Sequence, residues 1–132
     1  MVTFYCPGCW HSFEQDISPC PQCGLRIHEF WDSKDRVEKL MMALHHPEPE
    51  TVYRCAWLLG ESKDVRAVKP LMQLIQDTDD VYAALAAVKA LGEIGNAEAR
   101  EFLRTLAAHP AQMIREESQK ILGRFEEPQG KP

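Results

Sequence analysis

Two Cys-x-x-Cys pairs, Cys6-Pro7-Gly8-Cys9 and Cys20-Pro21-Gln22-Cys23, put four thiols near the start of a 132-residue chain. Each pair sets two sulfurs on one side of a short turn. Two such turns facing each other can close a tetrahedron around a divalent cation, with metal–sulfur distances of about 2.3 Å. Zinc is the metal this donor set predicts, with iron as an occupant after overexpression. His11 and His28 lie close enough to replace a thiolate in a three-cysteine, one-histidine site, but four cysteines already complete the tetrahedron. A clasp of this kind folds a segment too short to bury a core of its own.

The chain is long enough for one compact domain or a small module joined to a larger one, and no second large domain fits. With 45% hydrophobic and 27% charged residues it can bury a core, and its formal charge of −5 argues against a general affinity for nucleic acid or anionic membrane. No apolar run is long enough for a membrane span, and Met1-Val2-Thr3-Phe4-Tyr5 has neither the basic start nor the apolar stretch of a leader. The expected location is the cytoplasm. There, paired cysteines are more often metal ligands than disulfides.

Composition divides the chain. Residues 1–33 hold the four paired cysteines, Phe4, Tyr5, Trp10, Phe13, Phe30 and Trp31, and a net charge of −3 from Arg26 against Glu14, Asp16, Glu29 and Asp32. From Lys34 onward, apolar residues recur at helical spacing between short breaks at His46-Pro47-Glu48-Pro49, Asp77-Thr78-Asp79-Asp80 and His109-Pro110. The segments ending in Leu59-Gly60, Leu91-Gly92 and Leu122-Gly123 superpose at 32- and 31-residue steps, each preceded by another amphipathic segment. This is an internal repeat of helical hairpins. Residues 126–132 form a polar tail with two prolines, expected to fray.

The run Asp77-Thr78-Asp79-Asp80-Val81 with Ala86-Ala87-Val88-Lys89-Ala90-Leu91-Gly92-Glu93-Ile94-Gly95-Asn96 resembles a HEAT repeat, and the short period is similar to the HEAT-like repeats of phycobilisome lyase subunits. The resemblance covers about residues 34–125 and implies a mainly α, three-repeat solenoid used for protein contacts, with no reaction of its own. The cysteine pairs resemble zinc-ribbon and rubredoxin-type knuckles, Cys-Pro-x-Cys-Gly. At the first knuckle Trp10 stands in the place of the glycine, which works against ideal geometry there and against a rigid iron site. The expected organisation is a zinc ribbon over 1–33, HEAT-like repeats over 34–125 and the tail.

Within the repeats, Cys55 aligns with Ala87 and Ser118 and reads as a small core side chain. His45, His46 and His109 read as helix-end residues, and at His45 and His46 an imidazolium would favour the dipole. Positions three, four and seven before each repeat glycine are expected on a face turned to solvent or ligand. There Tyr53, Trp57, Leu85, Val88 and Lys89 form an apolar stripe, the candidate surface for a protein or peptide partner. The aromatic N-terminal module, docked as a cap, is the other expected cover for that stripe.

No phosphate loop, nucleophile elbow or His-Glu-x-x-His motif points to an enzyme. The primary expectation is a noncatalytic interaction module, an adaptor or assembly factor with structural zinc. Two alternatives stand beside it: nucleic-acid binding through Arg100, Arg104, Arg115, Lys120 and Arg124, and a redox or lyase-like accessory role. The oligomeric state is not legible.

Overall fold

The helical spacing beyond Lys34 is realised as three hairpins. In the computed structural model, which describes residues 2–126, α1 is Ile27–Asp32, α2 Arg36–Met42, α3 Pro49–Ser62, α4 Val68–Asp77, α5 Val81–Ile94, α6 Ala97–Thr105 and α7 Gln112–Glu126. Helix α2 packs on α3, α4 on α5 and α6 on α7, while α3, α5 and α7 lie side by side through the array. Glu126, assigned by sequence to the tail, still belongs to α7; the rest of the expected tail lies outside the described residues. Among the described residues no helix is long and apolar enough to cross a membrane.

The 32- and 31-residue steps recur in the turns. His46 Nδ1 accepts from the Glu48 amide, Thr78 Oγ1 from the Asp80 amide and His109 Nδ1 from the Ala111 amide, each at 3.0 Å. These side chains bend the chain from one helix into the next by the same local bond. The expectation of imidazolium at His46 is thereby corrected, because the ring nitrogen is an acceptor. At His46 burial also holds the pKa below its ordinary value, against the opposing pull of Glu48.

Small residues set the spacing of the inner helices. Cys55, Ala87 and Ser118 occupy equivalent buried places, as the repeat predicts. A Cβ on Gly60 would come within 2.8 Å of the Ala90 Cα, and one on Gly92 within 2.9 Å of the Ile121 Cγ2. At Gly123 no described atom lies within 4 Å. One contiguous core follows, running from Leu44 through Leu59, Leu71, Val88 and Leu103 to Ile121.

The N-terminal module is built differently. Strands β1 (Phe4–Tyr5) and β2 (Ser12–Phe13) pair antiparallel, Phe4 opposite Phe13, and α1 folds back so that Ile27 and Trp31 join Cys6, Cys20, Phe13 and Leu25 in a separate small core.

Gly60→Ala forces backbone apart and is expected to cost about 1–3 kcal/mol. Gly92→Ala, facing a side chain that can shift, should cost less. Gly123→Ala should be neutral or stabilise by up to about 1 kcal/mol through helix propensity. Chemical denaturation of the three variants checks the order.

Candidate metal centre and apolar groove

The two cysteine turns close in the same way. The Trp10 amide donates to the Cys6 carbonyl at 2.6 Å and the Cys6 amide to His11 at 3.1 Å; the Gly24 amide donates to Cys20 at 2.8 Å and the Cys20 amide to Leu25 at 2.8 Å. The amides of Gly8 and Gln22 each donate to the first sulfur of their own turn at 3.3 Å. Trp10 takes a φ of 61° and Gly24 one of 82°, so the tryptophan adopts the left-handed turn the glycine adopts. The expected distortion at Trp10 does not occur. Its backbone bears a cost of about 1–2 kcal/mol instead, and its ring finds a partner in His46.

The turns face each other. The Cys6 and Cys23 sulfurs are 3.5 Å apart, those of Cys9 and Cys20 are 3.7 Å apart, and all four lie within 4.8 Å of one another. A tetrahedron with bonds of about 2.3 Å has sulfur–sulfur edges of about 3.8 Å, so the set fits a metal ion. None of these cysteines is in a disulfide. His28 is paired with Asp16 at 2.7 Å and His11 is tilted against Phe13, so neither histidine enters the ligand set.

Electrostatics within the cluster favour a cation. Burial opposes ionisation of Cys20, but the amides of Cys23 and Gln22 and the thiols of Cys6 and Cys9 outweigh it and bring the pKa to about 7. At Cys23 the Leu25 backbone favours the thiolate, yet Cys6, burial and the other thiols push the pKa up to about 12. Four thiols this close resist ionising together. A central cation removes that opposition.

The second site lies on α3, α5 and α7. Tyr53, Trp57, Leu85 and Lys89 line one groove of about 550 Å³ with Tyr82, Glu61, Glu93 and Arg124, over a floor that includes Ala86, Ala90 and Gly92. Trp57 and Tyr82 are 60% and 59% exposed. Val88 does not join them. It is 0% exposed, as is its counterpart Ala56, because the position four before Gly60 and Gly92 turns into the helix interface; four before Gly123, Gln119 is exposed. Tyr82 was missed from the sequence, although its place one turn before Leu85 puts it on the same helical face.

The N-terminal module docks on the array but does not cover this groove, which corrects the expected cover of the stripe. It meets the array at the first turn, where Tyr5 and Trp10 pack on His46 and the Tyr5 hydroxyl donates to Glu48 at 2.7 Å. The candidate basic residues are largely engaged within the chain. Arg100 donates to the Gly95 carbonyl and stacks on Phe125, Arg104 pairs with Glu101, Arg115 donates to the carbonyls of His109 and Pro110, and Arg124 lies 4.0 Å from Glu117.

Comparison with known proteins agrees with this architecture. Residues 79–132 match the family described as HEAT repeats, and residues 52–77 match the PBS lyase HEAT-like repeat. The helical part of the chain is a HEAT-like α-solenoid. Over 86 residues the chain is 29% identical to an uncharacterized phycocyanin operon protein Z of Pseudanabaena tenuis, covering 65% of this chain and 42% of that protein. Over 75 residues it is 33% identical to a mouse deoxyhypusine hydroxylase, covering 56% of this chain and 25% of the enzyme. The chain thus spans less than half the length of either relative.

One wall of the groove depends on an ionised carboxylate. Asp80 accepts from the Tyr53 hydroxyl and from the Tyr82 and Ala83 amides, so it caps α5 and ties it to α3. The tyrosine bond, ahead of the amides, holds Asp80 below its ordinary value, and the carboxylate pushes Tyr53 up to about 12. A depressed carboxyl pKa stabilises above the unfolded value near 3.8 and loses that contribution as pH falls through the folded value. Asp80→Ala is therefore expected to cost about 1–2 kcal/mol at pH 7, with the gap to wild type narrowing as pH falls below the unfolded value of 3.8. Denaturation at pH 7 and along the acid limb checks it.

Removing the metal with a chelator should unfold residues 2–33 and leave most of the helical circular dichroism of α2–α7 in place. Collapse of the whole helical signal, or native protein free of any metal, is the contrary result.

Proposed function

We propose that this chain is a noncatalytic protein-interaction module, an adaptor or assembly factor of a reducing compartment such as the cytoplasm. Zinc on Cys6, Cys9, Cys20 and Cys23 shapes its N-terminal module, and the groove between α3 and α5 receives a segment of a partner protein. The observation that supports this reading is the pair of exposed rings, Trp57 and Tyr82, flanking an apolar cleft in a protein with a well-filled core. Large aromatic side chains left open beside small ones are characteristic of surfaces whose binding energy is concentrated in a few anchors. Lys89 and Glu93, one helical turn apart on α5, supply charge at the edge of the cleft to orient what enters.

Zinc is the metal proposed because four thiolates at tetrahedral spacing are its usual structural site. Metal analysis of native protein decides between zinc and iron. A second reading, an accessory of a lyase-like or pigment-related system, is favoured by the PBS lyase HEAT-like repeat and by the phycocyanin operon relative. An absorbance spectrum of the native protein, showing bound pigment or its lack, separates the two.

Trp57→Ala is expected to weaken capture of the partner by about 2 kcal/mol, roughly thirtyfold, with unchanged helical circular dichroism. Lys89→Glu should weaken it as well. Capture by both variants at the wild-type level would rule this groove out as the binding surface.

A further inference from the structure

We propose that His46, a residue of the helical array outside the ligand set, is a latch that couples metal retention at the four cysteines to docking of the N-terminal module on the repeats. The inference rests on reading the cysteines as a metal centre. Both rings that hold His46 are chain neighbours of ligands: Tyr5 precedes Cys6, and Trp10 follows Cys9. The imidazole lies edge-on to each, with centroids 4.3 Å from Tyr5 and 5.2 Å from Trp10 and interplanar angles of 64° and 62°. Its Nδ1 accepts from the Glu48 amide at the entrance to α3, and the Tyr5 hydroxyl reaches the carboxylate of the same Glu48. A continuous path of contacts runs from the first cysteine turn to the first long helix.

The repeat itself isolates what the imidazole is for. Thr78, at the equivalent position of the second hairpin, makes the same bond to the amide two residues on, so the turn does not need a histidine. His109 makes it in the third, and no aromatic partner for its ring is found among the described residues. The property that sets His46 apart is the pair of rings. Trp10 sits at a φ of 61°, a conformation a side-chain-bearing residue leaves readily unless held, and its amide closes the turn on the Cys6 carbonyl. Metal binding shapes the turn that presents Tyr5 and Trp10, and docking on His46 holds that turn in shape. Two events that favour the same conformation must strengthen each other by the same factor.

The test uses the full zinc-loaded chain and follows transfer of zinc to a chromogenic chelator. His46→Thr preserves the bond that Thr78 makes and removes the ring contact. It is expected to release zinc about fivefold or more faster than wild type, with helical circular dichroism unchanged. Tyr5→Phe, which removes only the hydroxyl bonded to Glu48, should accelerate release to a smaller degree. The same substitution at His109 should leave release at the wild-type rate. Amide hydrogen exchange over residues 43–49 gives the reciprocal readout: stripping zinc should speed it in wild type and change it little in His46→Thr. Release from His46→Thr at the wild-type rate would overturn the coupling while leaving the metal centre standing. Wild-type protein that holds no zinc would overturn both.

Discussion

Helix α3 can lie against α5 only while position 60 carries no side chain, because the neighbouring surface there is the Ala90 backbone itself. Much else in the array follows from that contact. It brings Tyr53 to Asp80, so that a carboxylate already capping α5 also anchors α3. It places the residues four before Gly60 and Gly92, Ala56 and Val88, in the interior, where they are fully buried, and leaves the residues three and seven before those glycines lining a cleft. The α5–α7 contact repeats the arrangement more softly, with the flexible end of Ile121 in place of backbone.

Much of this was legible in the amino-acid sequence because a repeat reports itself three times. The Leu-Gly pairs, the Pro- and Asp-bearing breaks and the small residues Cys55, Ala87 and Ser118 all recur in register, so helix positions and core identity could be read by superposition. What could not be read was rotation. A shift of one residue turns a helical side chain by about 100°, and Val88 was placed on the wrong side of that line while Tyr82 was left out. Superposition also concealed the use of His46, since its role as a turn acceptor looks alike in all three hairpins and its ring contacts come from far upstream, at Tyr5 and Trp10.

The metal module illustrates a different limit. Sequence spacing established that the four thiols could converge, and they do, but conformational preference argued against a tryptophan in the left-handed turn. Preference was overridden by packing. The ring of Trp10 gains its place on His46, and a glycine there would have given an easier turn with nothing to offer the array. Local propensity is a weak guide where one residue serves both a loop and an interface.

The floor of the groove includes Ala86, Ala90 and Gly92, residues with no rotamers to rearrange, and it rests on helices held by backbone proximity. Along the α3–α5 seam such a cleft has little room to remould to suit its guest. Adaptation there falls to the rim, where Trp57, Tyr82 and Lys89 are exposed, so the dimensions act as a fixed gauge and the chemistry of recognition is left to a few side chains.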